Sequence, residues 1–396
     1  MPRFQPDTLA LTALMALLVS IGPIATDMYL PVLPEIRAGL GATTAQTQAT
    51  LSGYLAGYAL AQLFYGPLSD RRGRRPIMLV GMALFTIGSI ACTFAPTIEV
   101  LIGARIVQSF GGAGSIVLAR AAVRDLYDGP RAGRELARMG SLMALVPALA
   151  PILGAGVGIL FGWRAVFVCL ALFGPLLAGL VLWKMPETLK QPLTDPFSLK
   201  AMLGDFRIVF RDRTFRVNTL LGGLSFAGFM GFLSSGSFVL QGHYGWDGTL
   251  FAAGFAVVVL GYFSGVTVAR RKAMSWGGDR IVRTGVLIAL PAALVMLASM
   301  ATGFGGGLGV ILPMAVYQGT LGLIQPMSNA AAMMPFKERA GAASSLFSVI
   351  QMTLAALAGT VVGLLLDASM LALPGMLVLC AAGMIAVVLV TRIGRS

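Results

Sequence analysis

Two charged side chains interrupt apolar stretches where charge is expensive, and they are the residues best placed to do chemistry. Asp27 ends the run Ser20-Ile21-Gly22-Pro23-Ile24-Ala25-Thr26, and Arg105 lies within Leu101-Ile102-Gly103-Ala104-Arg105-Ile106-Val107-Gln108. An aspartate costs roughly 2.5 to 3.5 kcal/mol at the centre of a lipid-embedded helix and less near an interface. Its presence points to a carboxylate that pairs, or takes up and returns a proton, in a water-filled cavity. An interfacial aspartate that caps or snorkels is the other reading, and Gly22-Pro23, which loosens the helix just upstream, favours the functional one. Arg105 must face protein or water. Helical spacing puts it on one face with Gln108 and Gly112, where a guanidinium can meet a carboxylate, or can simply bond to backbone carbonyls. The single histidine, His243, falls in a connection, and the chain has neither a phosphate-binding loop nor a metal-ligand cluster. Asp27 has no second acid inside a span, as an intramembrane enzyme would need. The expectation is a non-enzyme with no metal, no cofactor and no ATP-driven step.

Polar and aromatic stripes are candidates for a cavity lining. Tyr54, Tyr58 and Gln62 share one face of a helix, as do Gln318, Gln325 and Asn329, while Tyr29, Gln108, Phe226 and Phe229 are further candidates. Each stripe is equally compatible with plain interhelical packing. An apolar, aromatic cavity would suit weakly polar small molecules.

The elements that position these residues are set by composition. Of 396 residues, 57% are hydrophobic and 11% charged, and the mean hydropathy is +0.84. A soluble domain would not need so much apolar surface. Apolar runs of about the twenty residues needed to cross the hydrocarbon layer recur near 9–30, 47–67, 76–95, 98–119, 139–161 and 164–184, then 217–240, 249–269, 281–301, 307–329, 340–366 and 371–391. The expectation is an all-α integral membrane protein with twelve transmembrane helices in two pseudo-symmetric six-helix bundles: residues 1–185, a polar linker at 186–216 carrying Pro186, Pro192 and Pro196, and residues 217–396. The start of the chain shows no small-residue cleavage site, so the first span is expected to be retained.

A net charge of +13 would suggest nucleic acid in a soluble protein. Here it sorts by side. With alternating spans, all the Lys and Arg except Arg37, Arg105 and Arg164 fall on one face, with both termini, and that face is expected to be cytoplasmic. Cys92, Cys169 and Cys380 are scattered through apolar segments and read as packing residues. One weak internal repeat is visible: Gly66-Pro67-Leu68-Ser69-Asp70-Arg71-Arg72-Gly73 aligns without a gap with Gly265-Val266-Thr267-Val268-Ala269-Arg270-Arg271-Lys272, and both stretches lie where an even-numbered span enters a short basic loop.

The strongest local pattern is Gly66-x-Leu68-x-Asp70-x-x-Gly73-Arg74-Arg75-x-x-x-Leu79. Physically, Gly66 would permit close helix approach, Asp70 would sit against the positive end of a neighbouring helix, and Gly73 would make the turn that releases Arg74 and Arg75 to water. A positive-inside anchor is the simpler alternative. This loop resembles the signature of the major facilitator superfamily. That resemblance implies a cytoplasmic gate in which Asp70, Arg71, Arg74 and Arg75 hold the halves together in one of two states. Arg105 followed by Gln108 and a glycine run is similar to the superfamily's fourth-span motif, which implies a part in proton coupling. Pro147, Pro151, Gly154 and Gly156 resemble its antiporter motif, with separated prolines replacing the usual Gly-Pro pair, and small residues and prolines there would suit a hinge at the interface of the halves. Together with Met28-Tyr29-Leu30-Pro31-Val32-Leu33-Pro34, Val123-Arg124-Asp125-Leu126-Tyr127 and Gly162-Trp163-Arg164-Ala165-Val166-Phe167, these segments resemble the Bcr/CflA group of drug:proton antiporters. The resemblance implies a monomeric multi-pass protein of the bacterial inner membrane. It would export phenicol- or bicyclomycin-like drugs against protons by alternating access, with no nucleic-acid partner. A metabolite transporter on the same scaffold and a non-transporting membrane sensor are the alternatives.

Overall fold

A computed structural model describes residues 8–127, 129–143, 145–189, 191, 198–336 and 339–391. Met1–Asp7, Pro192, Pro196, Lys337, Arg392 and Arg395, on which parts of the charge and linker readings rest, lie outside these. The described residues form helices α1 (Leu9–Asp27), α2 (Leu33–Gly39), α3 (Thr44–Arg72), α4 (Arg74–Thr93), α5 (Ile98–Leu126), α6 (Gly129–Met143), α7 (Val146–Phe161), α8 (Trp163–Lys184), α9 (Leu199–Arg211), α10 (Arg213–Ser237), α11 (Gly248–Trp276), α12 (Gly278–Thr302), α13 (Leu308–Met333), α14 (Ala340–Leu366) and α15 (Ala372–Thr391). Ten helical stretches are long and apolar enough to cross a bilayer. With α3, whose Thr, Gln, Ser and Tyr residues lower its hydropathy, and the broken pair α6/α7, they make up the twelve spans of the expected all-α membrane fold.

The helix ends follow ordinary capping. Thr97, Asp212 and Asp247 accept from the backbone N–H three residues on, and single glycines with positive φ join α3 to α4 (Gly73), α7 to α8 (Gly162) and α11 to α12 (Gly277). The weak repeat does not carry through to this joint. α3 stops one residue before Gly73, whereas α11 continues through Lys272 for another turn to Gly277.

The chain divides into two compact units: residues up to Ala42 with Gly53–Phe197, and Thr43–Ser52 with Ser198–Ser396. The division falls inside the expected linker, but the first two turns of α3 group with the second unit. There Thr44 Oγ1 donates to Asp367 Oδ1 at 2.5 Å. The linker also contains a helix, α9, whose buried Val209 packs with Phe215, Ala343 and Phe347. In the first unit α4 and α5 cross closely enough that a Cβ on Gly111 would lie 2.2 Å from Phe85 N. In the second, α11 and α13 touch backbone to backbone: a Cβ on Gly265 would meet Gly319 O at 1.9 Å.

Candidate functional site

The first span is not one straight helix. α1 ends at Asp27, a short 3-10 turn covers Leu30–Val32, and α2 then carries the chain to Gly39. Pro23 removes one helical N–H, but the break comes downstream of it, where Pro31 and Pro34 interrupt the hydrogen-bond ladder. Asp27 therefore sits at the break, buried at 5% exposure, with the Thr26 hydroxyl donating to its Oδ1 at 3.0 Å.

Arg105 is fully buried in the middle of α5. Its guanidinium lies between two tyrosine rings, 4.5 Å from the centroid of Tyr29 and 4.3 Å from that of Tyr54, with Phe167 at 5.9 Å. Nη1 donates to Ala25 O at 3.0 Å and to Gln108 Oε1 at 2.5 Å, and Gln108 Nε2 in turn donates to Ser89 Oγ at 2.8 Å. Among the described residues neither Nε nor Nη2 has a hydrogen-bond acceptor. No carboxylate forms an ion pair with it either, so the direct Asp27–Arg105 contact considered from the sequence is absent. Asp27 is nonetheless its neighbour along the chain, because Ala25 and Tyr29, two residues to either side, both touch the guanidinium. Tyr58 stacks with Tyr54 at 6.0 Å. Tyr29, Tyr54, Arg105 and Gln108 thus form one cluster beside Asp27.

The candidate hinge helix is packed on this cluster. A Cβ on Gly154 would meet Met28 O at 1.8 Å, and one on Gly158 would meet Val32 Cγ1 at 2.3 Å, so α7 seats against the break in span one. Gly156 faces open space. The fifth span is itself divided: α6 ends at Met143 and α7 begins at Val146, just before Pro147, with Pro151 inside it. Within its own unit α7 thus packs on the break in span one through Gly154 and Gly158.

The basic loop departs from three expectations. A Cβ on Gly66 would touch nothing, so Gly66 is not a helix contact. Arg74 is not released to water. It is buried, ion-paired with Asp70 and with Asp125 (Nε to Oδ2, 2.8 Å), and it donates to Ser69 Oγ at 2.6 Å. The positive end of α4 is held by Glu187 rather than by Asp70. The Glu187 carboxylate accepts from Arg74 N at 2.9 Å and Arg75 N at 3.1 Å, and also from its own neighbours Thr188 N and Leu189 N. Arg71 donates to Pro67 O, and Arg75 to Leu182 O. Gly73 does make the expected turn, at φ 93°, and a Cβ there would lie 2.6 Å from Glu187 Oε2. Arg270 and Arg271, the aligned pair in the second unit, are exposed and form no ion pair among the described residues.

The candidates of the second unit are spread out. Gln318 is buried, Gln325 half-buried beside Gly222, and Asn329 exposed. Phe226 and Phe229 are half-buried, with ring centroids 6.2 Å apart.

Two acids escaped the sequence reading. Glu135, among the arginines of α6, is 5% exposed and accepts from Thr12 Oγ1 at 2.7 Å and from Arg138. In the sequence Arg131, Arg134 and Arg138 beside it only marked the stretch as part of the basic side. The other is Glu187. Its place in Met185-Pro186-Glu187-Thr188-Leu189 was visible, but its partner, the start of α4, is more than a hundred residues away.

Residues 15–360 match the family model of the Major Facilitator Superfamily. The chain is similar to a bicyclomycin resistance protein homolog of Haemophilus influenzae, 28% identical over 360 residues that cover 90% of each chain. It is also similar to a chloramphenicol resistance protein of Pseudomonas aeruginosa, 32% identical over 75% of this chain and 70% of that one. Its fold is similar to that of a D-xylose-proton symporter, with a TM-score of 0.76 at 14% identity, covering 94% of this chain and 96% of that one. With the span architecture and these matches in agreement, the chain belongs to the major facilitator superfamily, and within it to the Bcr/CflA group.

Proposed function

We propose that the protein exports small, weakly polar drugs of the phenicol or bicyclomycin type in exchange for protons, by alternating access. The observation that carries this reading is the state of Arg105: a fully buried cation, cradled by tyrosine rings, with two donors that lack an acceptor. A buried charge without an acid partner is costly and survives where it is used. The unsatisfied Nε and Nη2 would donate to the carbonyl, nitro or hydroxyl oxygens of a neutral drug, while Tyr29 and Tyr54 offer its apolar parts a wall. Asp27, at the break of span one, would take up the proton from outside. Its protonation changes the charge beside Arg105 and so changes drug affinity and the balance between the two access states. An electrical potential adds about 2.3 kcal/mol per charge per 100 mV, enough to drive export of a neutral molecule against an entering proton. The names of the two relatives support the substrate class.

The test is transport in proteoliposomes with an imposed pH gradient. Drug accumulation against its gradient is expected when the drug-receiving side is acidic, together with proton release on the opposite side. No drug movement across a panel of phenicols, bicyclomycin and sulfonamides, with movement of an endogenous metabolite instead, overturns the drug reading and leaves the scaffold a metabolite transporter.

A further inference from the structure

The second unit has an apolar groove of about 450 Å³ between α11, α12 and α13. Its floor is the glycine crossing of α11 and α13, at Gly261, Gly265 and Gly319, where the two backbones touch and no side chain fills the space. Its walls are Val268, Trp276, Ile281, Ile288 and Val316, several of them well exposed on the outer surface of the helices. From Gly261 to Trp276 the groove follows α11 for about 22 Å at 1.5 Å per residue, somewhat deeper than the ~15 Å hydrocarbon thickness of one leaflet. The groove reaches Trp276, and there the chemistry changes: Lys272 Nζ lies 5.4 Å and Arg280 Cζ 5.0 Å from the Trp276 ring centroid. Between residues 270 and 283 the chain places five bases, Arg270, Arg271, Lys272, Arg280 and Arg283, against the single acid Asp279.

We propose that this groove binds one acyl chain of an anionic phospholipid of the surrounding bilayer, with the phosphate headgroup held by Lys272 and Arg280 beside Trp276. The shape suits a chain rather than a compact solute: it is long, lined by hydrocarbon and laterally open. The Trp276 indole marks the headgroup level, where tryptophans concentrate. The excess of positive charge at that end selects an anionic headgroup over a zwitterionic one. The crossing of α11 and α13 forms the groove's floor, so an occupying chain packs against both helices at once.

The test uses the full chain reconstituted in bilayers containing lipids with brominated acyl chains, which quench tryptophan fluorescence on contact. The readout is the part of the quenching that Trp276→Phe removes. Brominated phosphatidylglycerol should reach half-quenching of Trp276 at a roughly fivefold or more lower mole fraction than brominated phosphatidylcholine, a factor of about five per basic side chain at an anionic surface. Lys272→Gln with Arg280→Gln, both exposed positions, should bring the two lipids together. Thr284→Phe, or Ile288→Trp one turn further along α12, fills the groove from the wall opposite the glycine crossing and should weaken quenching by both lipids. Equal quenching by the two lipids in the unmodified protein overturns the headgroup assignment. A preference that survives Lys272→Gln/Arg280→Gln does so too, and quenching unchanged by either filling substitution overturns the groove.

Discussion

Arg105 and Asp27 divide the chemistry of the buried cluster, and substitutions should separate their parts. Asp27→Asn keeps the size and the Thr26 contact but cannot exchange a proton. We expect pH-gradient-driven transport to fall at least tenfold, while drug binding measured without a gradient persists and no longer varies with pH. Loss of both together would remove Asp27 from proton coupling. Arg105→Lys keeps the charge, but an ammonium cannot lie flat between Tyr29 and Tyr54 while donating to Ala25 O and Gln108 Oε1. Drug affinity should drop on the order of tenfold, and titration calorimetry on the purified protein reads it; an unchanged affinity would leave Arg105 a structural residue. Both side chains were legible in the sequence because a charge inside an apolar run is conspicuous. Their relation was not. The sequence suggested a direct pair, whereas the folded chain brings Arg105 to the carbonyl and the ring on either side of Asp27.

At the scale of elements, the joints decide. Gly73, at φ 93° and ψ 151°, holds a backbone conformation that other residues adopt at a cost of about 1–3 kcal/mol, and a Cβ there would lie 2.6 Å from Glu187 Oε2. Gly73→Ala should lower thermal stability in detergent by at least that amount. Glu187→Ala, which removes the acceptor from Arg74 N and Arg75 N, should cost roughly 1 kcal/mol as other lost helix caps do, and a melting curve unchanged by it would discount the cap. Gly154→Val drives a side chain into Met28 O and should unseat α7 from the break in span one, at a cost of about 1–3 kcal/mol from overpacking. Transport is expected to suffer more than stability, because Met28 adjoins Asp27. The glycine-arginine spacing of the basic loop made Gly73 readable in advance. The roles assigned to Gly66, Asp70 and Arg74 were less so, since which end of which helix an acid caps depends on segments far apart in sequence.

For the molecule as a whole, charge sorting gives the orientation: the face that collects nearly all the Lys and Arg, and both termini, is expected to be cytoplasmic. Reporter fusions check this, with a fluorescent protein at either terminus expected to mature and an alkaline phosphatase at either expected to stay inactive; one terminus reporting from each side would break the twelve-span arrangement. The sequence by itself determined the solvent, the number and order of the spans, the family and the two buried charges, because each of these is written in local hydropathy and short-range spacing. Only the tertiary structure decided that span one breaks at Asp27, that the two tyrosine rings enclose Arg105 with two donors free, that Glu187 rather than Asp70 holds α4, and that α11 and α13 leave a groove at their crossing. These depend on which helix faces which. In a membrane nearly every helix is apolar all round, so hydrophobic periodicity no longer marks the inward face, and small residues and polar contacts brought together from distant segments decide the packing.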